Sequence, residues 1–175
     1  MSEKKHIVYL TGFMGSGKTT AGRELADQLG WEFIDVDKKI EKETGKSVPD
    51  IFFQNGEPYF RNIESQLLLN METLTNAVIS TGGGTPCYNN NMDFMLKTGL
   101  TIYLKMTPES LRKRLSNSKD ERPLIKGMDN AEMDAFIREK LAERSKFYER
   151  AEIIIDGSDL NINLLLSLIK AKLII

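Results

Sequence analysis

A glycine-rich segment near the N-terminus constrains the fold of this chain more than any other feature. Gly12–Thr19 reads GFMGSGKT and fits the pattern G-x-x-x-x-G-K-[ST]. The apolar run Ile7–Leu10 precedes it and predicts a buried strand, and Lys18–Leu29 follows with the pattern of a helix. Because the strand and the helix supply the context that this pattern requires, the sequence predicts a phosphate-binding loop rather than a glycine-rich turn that binds nothing.

The residue types in this loop suit the phosphates of a nucleoside triphosphate. Glycines allow successive backbone N–H groups to curl around phosphate oxygens, and the following helix presents its electropositive end to them. Lys18 is expected to reach the β- and γ-phosphates, and the Thr19 hydroxyl is expected to bind Mg²⁺. The expected nucleotide contacts are Gly15, Ser16, Gly17, Lys18, Thr19, Thr20 and Arg122. The motif by itself identifies no phosphoryl acceptor.

Short apolar runs alternate with helix-patterned segments along the rest of the chain. The other predicted strands are Trp31–Asp35, Ala77–Ser80, Leu100–Lys105 and Ile153–Ile155. The other predicted helices lie near Ser47–Gln54, Pro58–Leu74 and Met133–Tyr148, and Thr107 with Pro108 predicts a further helix start. This alternation is typical of an α/β fold with a mainly parallel sheet covered on both faces, and the length fits one domain, residues 1–175.

Two acidic residues, Asp35 and Asp37, lie two positions apart at the end of the second predicted strand. In extended backbone such residues project to the same face, and ligands of open α/β sheets bind beyond the carboxyl ends of the strands. One carboxylate could hold Mg²⁺, and the other could accept a hydrogen bond or a proton from an acceptor hydroxyl. The alternative is a solvated acidic pair that starts the next helix.

Two arginines lie on or beside predicted inward-facing helix surfaces. Arg144 interrupts the apolar stripe of Met133–Tyr148, and Arg61 borders the apolar face of Pro58–Leu74, three residues before Glu64. A buried guanidinium needs an anion, which either a protein carboxylate or a ligand carboxylate could supply. The alternative for both residues is a charged end that reaches solvent or forms a surface ion pair.

Two loops supply further candidates. Thr81–Thr85 reads TGGGT after the third predicted strand, and its glycines either let a ligand approach the backbone closely or form a flexible turn. The polar segment Ser116–Asp129 is predicted to be a mobile lid. Within it, Arg122 could stabilise charge on a transferring phosphoryl group, and an ordinary solvated loop charge is the alternative.

Composition argues against several other kinds of protein. The formal net charge is −1, so the chain lacks the basic excess typical of nucleic-acid or membrane surfaces, and neither partner is expected. No apolar run approaches the roughly 20 residues of a membrane-spanning helix, and Ile7–Leu10 is too short for a signal-peptide core. The single cysteine, Cys87, cannot form an internal disulfide, which favours a cytoplasmic location. With no oligomer signal, a monomer is expected.

Taken together, these segments resemble the shikimate kinase family over most of the chain. The matching segments are Gly12–Thr19, Phe33–Asp37, Gly56 and Glu57 with Phe60, Arg61 and Glu64, Ser80–Thr85, Arg122–Leu124, and Glu143 and Arg144 with Tyr148. The phosphate-binding loop is widespread, whereas its ordered combination with paired aspartates, F-R-x-x-E and T-G-G-G is highly specific. The resemblance implies ATP- and Mg²⁺-dependent phosphorylation of the 3-hydroxyl of shikimate, on the route to chorismate and the aromatic amino acids.

The resemblance also implies roles and a fold. Asp37, Arg61, Gly83 and Arg144 match the shikimate contacts, Asp35 and Thr19 match the Mg²⁺ positions, and Lys18 and Arg122 match the phosphate contacts. Lys18, Asp37 and Arg122 are therefore the expected catalytic residues. The implied fold is a single-domain P-loop kinase fold of the nucleoside-monophosphate-kinase type, with a five-stranded parallel sheet flanked by helices and a lid at residues 116–129. The sequence departs from the family where Lys146 replaces a frequent proline.

Two other functions remain open at this point. A different small-metabolite P-loop kinase, such as a gluconate or nucleotide kinase, would share the loop and the fold. A nucleotide-dependent regulatory switch would share the loop but would not need two inward arginines. Turnover of ATP that depends on added shikimate separates the three.

Overall fold

A five-stranded, all-parallel sheet forms the centre of the molecule. The computed structural model describes residues 6–119 and 122–175. Its strands are β1 (His6–Thr11), β2 (Glu32–Asp35), β3 (Asn76–Ser80), β4 (Leu100–Lys105) and β5 (Ile153–Asp156), in the spatial order β2-β3-β1-β4-β5. Every neighbouring pair is parallel. The five predicted strands are confirmed with shifts of at most one residue at either end.

Helices cover both faces of the sheet. They are α1 (Lys18–Leu29), α2 (Val36–Thr44), α3 (Val48–Asn55), α4 (Glu57–Asn70), α5 (Asn91–Thr98), α6 (Pro108–Ser116), α7 (Asn130–Tyr148) and α8 (Ile162–Leu173). Helices α1, α3, α4, α6 and α7 were expected, whereas α2, α5 and α8 were not. Helix α7 runs without a break through Lys146, the position at which the family often carries proline.

Local capping explains where several helices begin. The Thr107 hydroxyl accepts a hydrogen bond from the Ser110 N–H, and Pro108 occupies the first helical position, where its missing N–H costs nothing. Helix α7 starts with a full capping box, in which Asp129 and Glu132 each accept from the other's backbone N–H. The capping box of α7 lies at the C-terminal end of the lid segment, whereas the Thr107 cap lies at the far end of α6 from the lid.

The sheet is buried on both faces, as a parallel sheet requires. Ile7 and Tyr9 of β1 pack in one apolar layer with residues from α2 to α5. Val8 and Leu10 point the opposite way and pack with residues from α1 and α8. A third cluster lies between α6, α7 and the lid, and it includes the buried Ile125. Among the described residues, no helix has the length and apolar content needed to cross a membrane.

The topology brings three loops to one edge of the sheet. In parallel strands all carboxyl ends point the same way, and ligands bind in the crevice where the strand order changes direction. Here β1 lies between β3 and β4, so the loops after β1, β2 and β3 adjoin one another. These loops contain the glycine-rich motif, the paired aspartates and the TGGGT segment.

Candidate active site

The loop after β1 has the backbone that its glycines permit. Gly12, Gly15 and Gly17 have φ values of 143°, 80° and 90°, in the positive region that glycine adopts far more readily than other residues. Gly17 also caps the N-terminus of α1. The Lys18 ammonium folds back over the loop and donates to the Gly12 and Phe13 carbonyls at 2.8 and 2.9 Å. An ammonium has three donors, so one remains for a phosphate.

A cavity of about 970 Å³ opens beside this loop. Six of the expected nucleotide contacts line it, and they are Gly15, Gly17, Lys18, Thr19, Thr20 and Arg122. Ser16 is placed differently, because its side chain is buried beneath the loop and its N–H donates to the Phe13 carbonyl. Within the described residues the Ser16 hydroxyl has no hydrogen-bond partner. A contact between Ser16 and a nucleotide stays a prediction.

The paired aspartates lie at the same cavity, but by a different geometry from the one expected. Asp35 ends β2 and caps α2, accepting from the Lys38 N–H at 3.1 Å, so Asp37 lies in the first helical turn. The extended backbone predicted for Asp37 is therefore wrong, because the Asp35 side chain starts a helix there. The other Asp35 oxygen accepts from the Thr19 hydroxyl at 2.9 Å, which pairs the two predicted Mg²⁺ residues.

A second cavity, of about 560 Å³, adjoins the first. Apolar side chains of α3 and α4 form one wall, which includes Val48, Phe52 and Phe60. Charged side chains also line this cavity, and they include Asp37, Arg61 and Arg144. The two cavities share seven lining residues, which are Met14, Asp35, Asp37, Lys38, Gly82, Gly83 and Arg122. A group passing from one ligand to the other would cross at these residues.

Three successive glycines let charged side chains approach the backbone from different directions. A Cβ on Gly82 would lie 3.0 Å from Glu64 Oε1 and 3.1 Å from Asp37 Oδ1. One on Gly83 would lie 3.2 Å from Arg144 Nη1, and one on Gly84 would lie 2.8 Å from Arg61 Cζ. None of the three has a positive φ, so close approach rather than backbone conformation explains the glycines.

Arg61 is buried and paired with two carboxylates. Its Nη1 donates to Glu64 at 2.9 Å, and its Nε donates to Glu57 at 3.1 Å. Its guanidinium also lies 4.2 Å from the centre of the Tyr88 ring. The Glu64 side chain is 0% exposed and accepts a further hydrogen bond from Thr85, whereas the Glu57 side chain is 47% exposed. The pairing with Glu64 expected from the sequence is confirmed.

Arg144 differs from Arg61 in having no carboxylate partner among the described residues. It is half-buried on α7, and its guanidinium lies 5.6 Å from the centre of the Phe13 ring. Across residues 6–119 and 122–175, no salt bridge involves it. A cation held beside a cavity without a protein anion favours a ligand anion. Arg144 lines the second cavity together with Arg61.

Part of the predicted lid lies over both cavities. Asp120 and Glu121 fall outside the described residues, and the remainder contains a short 3₁₀ turn at Pro123–Ile125. Arg122 lines both cavities, and its Nε is buried without a hydrogen-bond partner in the described part of the chain. The nearby Leu124 is exposed and lines the second cavity.

Burial shifts the pKa values of two charged groups that line the larger cavity, Lys18 and Asp37, in opposite directions. Burial lowers the pKa of Lys18 to about 8, although the Asp37 carboxylate partly opposes this shift. Burial raises the pKa of Asp37 to about 6, with further contributions from the Glu64 and Asp35 carboxylates. The two shifts have the same physical origin, because desolvation disfavours any charged form. Burial also raises the pKa of Cys87 to about 11, so its thiol stays protonated.

One residue that lines the larger cavity was not predicted from the sequence. Arg114, near the end of α6, donates to the Gly157 and Ser158 carbonyls at 2.8 and 3.2 Å and lines the larger cavity. It thereby connects the cavity with the segment that follows β5. A basic residue in the last turn of a helix is common because it opposes the helix dipole, so position alone does not mark it as functional.

Comparison with known proteins agrees with this arrangement. A model described as shikimate kinase matches residues 14–172. The chain belongs to the shikimate kinase family. Among family members, the shikimate kinase of Parabacteroides distasonis is 47% identical over 150 residues, which are 86% of this chain and 87% of that protein. That of Caldanaerobacter subterraneus is 45% identical over 155 residues, 89% of this chain and 88% of that protein.

Solved structures give the same result. The shikimate kinase of Bacteroides thetaiotaomicron superposes with a TM-score of 0.91 at 37% identity, covering 97% of this chain and 99% of that one. A shikimate kinase from Acinetobacter baumannii in complex with shikimate gives 0.85 at 34% identity, covering 98% and 94%. A gluconokinase from Sinorhizobium meliloti gives 0.55 at 16% identity and shares the fold alone.

The two carboxylates on Arg61 should differ sharply in their effect on stability. Removing one partner of a buried ion pair typically costs about 3–5 kcal/mol, whereas an exposed pair contributes about 0–1 kcal/mol. We expect Glu64→Gln to lower the free energy of unfolding by about 3 kcal/mol and Glu57→Gln by less than about 1 kcal/mol. Urea denaturation of both variants measures this, and equal losses would contradict the assignment.

The raised pKa of Asp37 predicts a pH-dependent gain in stability on its removal. Its folded-state pKa of about 6 exceeds the ordinary value of 3.8, so the folded state loses stability as pH rises between these values. Asp37→Asn should therefore stabilise the fold at pH 7.5 by about 1–3 kcal/mol and have a much smaller effect near pH 4.5. Asp27→Asn, an exposed residue of α1, is the matched control. A gain that is independent of pH would refute the explanation.

Proposed function

We propose that this chain transfers the γ-phosphoryl group of ATP to the 3-hydroxyl of shikimate, yielding shikimate 3-phosphate. The observation that carries the proposal is the junction of two cavities, one at the phosphate-binding loop and one lined by Arg61 and Arg144, with Asp37 and Arg122 lining both. Family membership supports the choice of acceptor, as does the relative solved with shikimate bound. The product would enter the route to chorismate and the aromatic amino acids.

The nucleotide would bind in the larger cavity with its phosphates on the loop after β1. Backbone N–H groups, the N-terminus of α1 and the free donor of Lys18 face that position. Thr19 and Asp35 present a hydroxyl and a carboxylate oxygen 2.9 Å apart, and oxygen ligands of this kind suit Mg²⁺. Mg²⁺ held there would neutralise phosphate charge. The segment near Ser158 also lines this cavity, and Arg114 donates a hydrogen bond to its backbone.

The acceptor would bind in the smaller cavity through its carboxylate. A guanidinium offers five donors, so Arg61 can keep Glu64 and Glu57 and still donate to a ligand. Arg144 forms no salt bridge among the described residues, and a carboxylate would supply its missing anion. Val48, Phe52 and Phe60 would cover the ring. A planar carboxylate held between two guanidinium groups is fixed in orientation as well as position.

The transfer step requires positioning and charge stabilisation rather than covalent chemistry by the protein. Asp37, at the junction, would accept a hydrogen bond from the 3-hydroxyl and take its proton as the oxygen attacks phosphorus. Lys18 and Arg122 would offset charge on the transferring group. Residues 116–119 and 122–129 would act as a lid that excludes water, the competing acceptor. A cytoplasmic location and a monomeric state stay predictions.

Kinetics of acid and amide acceptors tests the function and the arginines together. ADP release should require both Mg²⁺ and shikimate, and gluconate should not replace shikimate. Losing one partner of a buried charge pair costs about 2–5 kcal/mol, or roughly 30-fold to several-thousand-fold in affinity. Arg61→Ala and Arg144→Ala should therefore raise the KM for shikimate far more than the KM for ATP. The variants should also discriminate less than wild type against the neutral amide of shikimate.

The matched control for these variants is Arg138→Ala, an exposed arginine on the same helix as Arg144. It should leave both Michaelis constants within about twofold of wild type. Turnover of ATP without shikimate, or with gluconate at an equal rate, would overturn the proposed function. If kcat/KM for the acid and for the amide falls by the same factor in both arginine variants, the arginines are structural instead.

Hydrogen exchange tests the lid. Closure over a ternary complex should bury Arg122 and Leu124, which now line open cavities. Amide exchange across residues 122–129 should slow when nucleotide and acceptor are bound together, by more than with either alone, while α8 stays unchanged. Full protection of this segment in the free enzyme would show that it is ordinary fixed structure.

A further inference from the structure

The last residue of α7, Tyr148, belongs to the site although none of the proposed steps uses it. Its side chain is 0% exposed, and its ring packs against that of Tyr103 with the centroids 5.0 Å apart. A buried tyrosine ring can serve packing alone, but a buried hydroxyl needs a partner. The partner of this hydroxyl lines the smaller cavity, as does the neighbouring Arg144.

The Tyr148 hydroxyl lies close to two groups of the site, the Gly83 carbonyl and the Arg144 guanidinium. It donates a hydrogen bond to the Gly83 carbonyl. Arg144 lies one helical turn earlier on the same face of α7, and its positive charge acts on this hydroxyl. Arg144 in turn lies against Gly83, since a Cβ there would be 3.2 Å from Nη1. The hydroxyl and the guanidinium therefore meet at the same glycine, the hydroxyl by a hydrogen bond and the guanidinium by close approach.

The glycine segment needs such an attachment. Three successive glycines have no side chains to anchor them and the greatest backbone freedom of any residues. Its ends are held by Thr81, which bonds the Leu10 carbonyl, and by Thr85, which bonds Glu64. Tyr148 holds the middle. Because a peptide unit is planar, fixing the Gly83 carbonyl also fixes the N–H of Gly84.

We propose that Tyr148 is a positioning residue for the acceptor, holding Gly83 and Arg144 in the arrangement that binds its carboxylate. The inference rests on the proposed function for the identity of the acceptor. Arg144 lacks a salt-bridge partner in the described part of the chain, so without Tyr148 few contacts would orient its guanidinium. Burial raises the pKa of Tyr148, so the hydroxyl remains a donor across the working pH range.

Tyr148→Phe tests the proposal because it keeps the ring and removes only the hydroxyl. We expect the KM for shikimate to rise about tenfold, with kcat and the KM for ATP within about twofold of wild type. Preference for the acid over its neutral amide should fall, because the group that the hydroxyl orients is the one that binds the carboxylate. Loosening of the core alone would lower the melting temperature without changing that preference.

Tyr103→Phe is the matched control, since it removes a hydroxyl from the neighbouring, equally buried ring. It should change neither Michaelis constant. In the double variant with Arg144→Ala, the added effect of Tyr148→Phe should be less than twofold, because both changes act at the same glycine. Three outcomes would each overturn the proposal. They are a wild-type KM for shikimate in Tyr148→Phe, an equal loss of kcat/KM for the acid and the amide, and full additivity of the effects of Tyr148→Phe and Arg144→Ala.

A readout without substrate separates this inference from the proposed function. Amide exchange at Gly83 and Gly84 in the free enzyme should accelerate at least about tenfold in Tyr148→Phe and remain unchanged in Tyr103→Phe. If wild type fails to phosphorylate shikimate, the proposed function is wrong and this measurement still decides whether Tyr148 fixes the segment. Unchanged exchange in Tyr148→Phe would refute the anchoring even if shikimate is the substrate.

Discussion

The buried carboxylate of Glu64 is the constraint on which the acceptor side of the site depends. An ionised group with no solvent contact is costly unless its oxygens are paired, and here Arg61 and Thr85 pair them. Its position requires the neighbouring backbone to lack side chains, because a Cβ on Gly82 would lie 3.0 Å from Oε1. Its charge also helps to raise the pKa of Asp37. Pairing, backbone shape and electrostatics around the acceptor thus follow from one residue.

The same desolvation that makes these charges costly also determines the pH range in which they are ionised. Burial moves the pKa of Lys18 down to about 8 and that of Asp37 up to about 6. In the free enzyme both groups are therefore ionised together chiefly between those values. A phosphate would stabilise the ammonium, whereas Asp37 gains no such help from an acceptor carboxylate nearby. Lost stability at Asp37 is the expected cost of the proton-accepting role that we propose for it.

The sequence predicted those parts of the site that depend on local pattern. The loop at Gly12–Thr19 and the strands could be predicted because apolar runs and glycine spacing determine them locally. The helical position of Asp37 was missed because alternating Ile34 and Val36 suggested that the strand continued, whereas Asp35 caps a helix. The inward turn of Ser16 and the reach of Arg114 to Gly157 depend on tertiary packing, which no local pattern encodes.

The three glycines show most clearly what sequence reasoning can and cannot predict. A run of glycines at a strand end indicates that another group approaches the backbone closely, but it does not identify that group. In the fold Gly82 faces two carboxylates, and Gly83 and Gly84 each face a guanidinium, so charges of both signs converge on the segment. One of those charges, Arg144, comes from a helix more than 60 residues away and has no salt-bridge partner in the described residues. The gluconokinase shares the fold alone, so the choice of acceptor depends on the residues that converge on this segment and not on the fold.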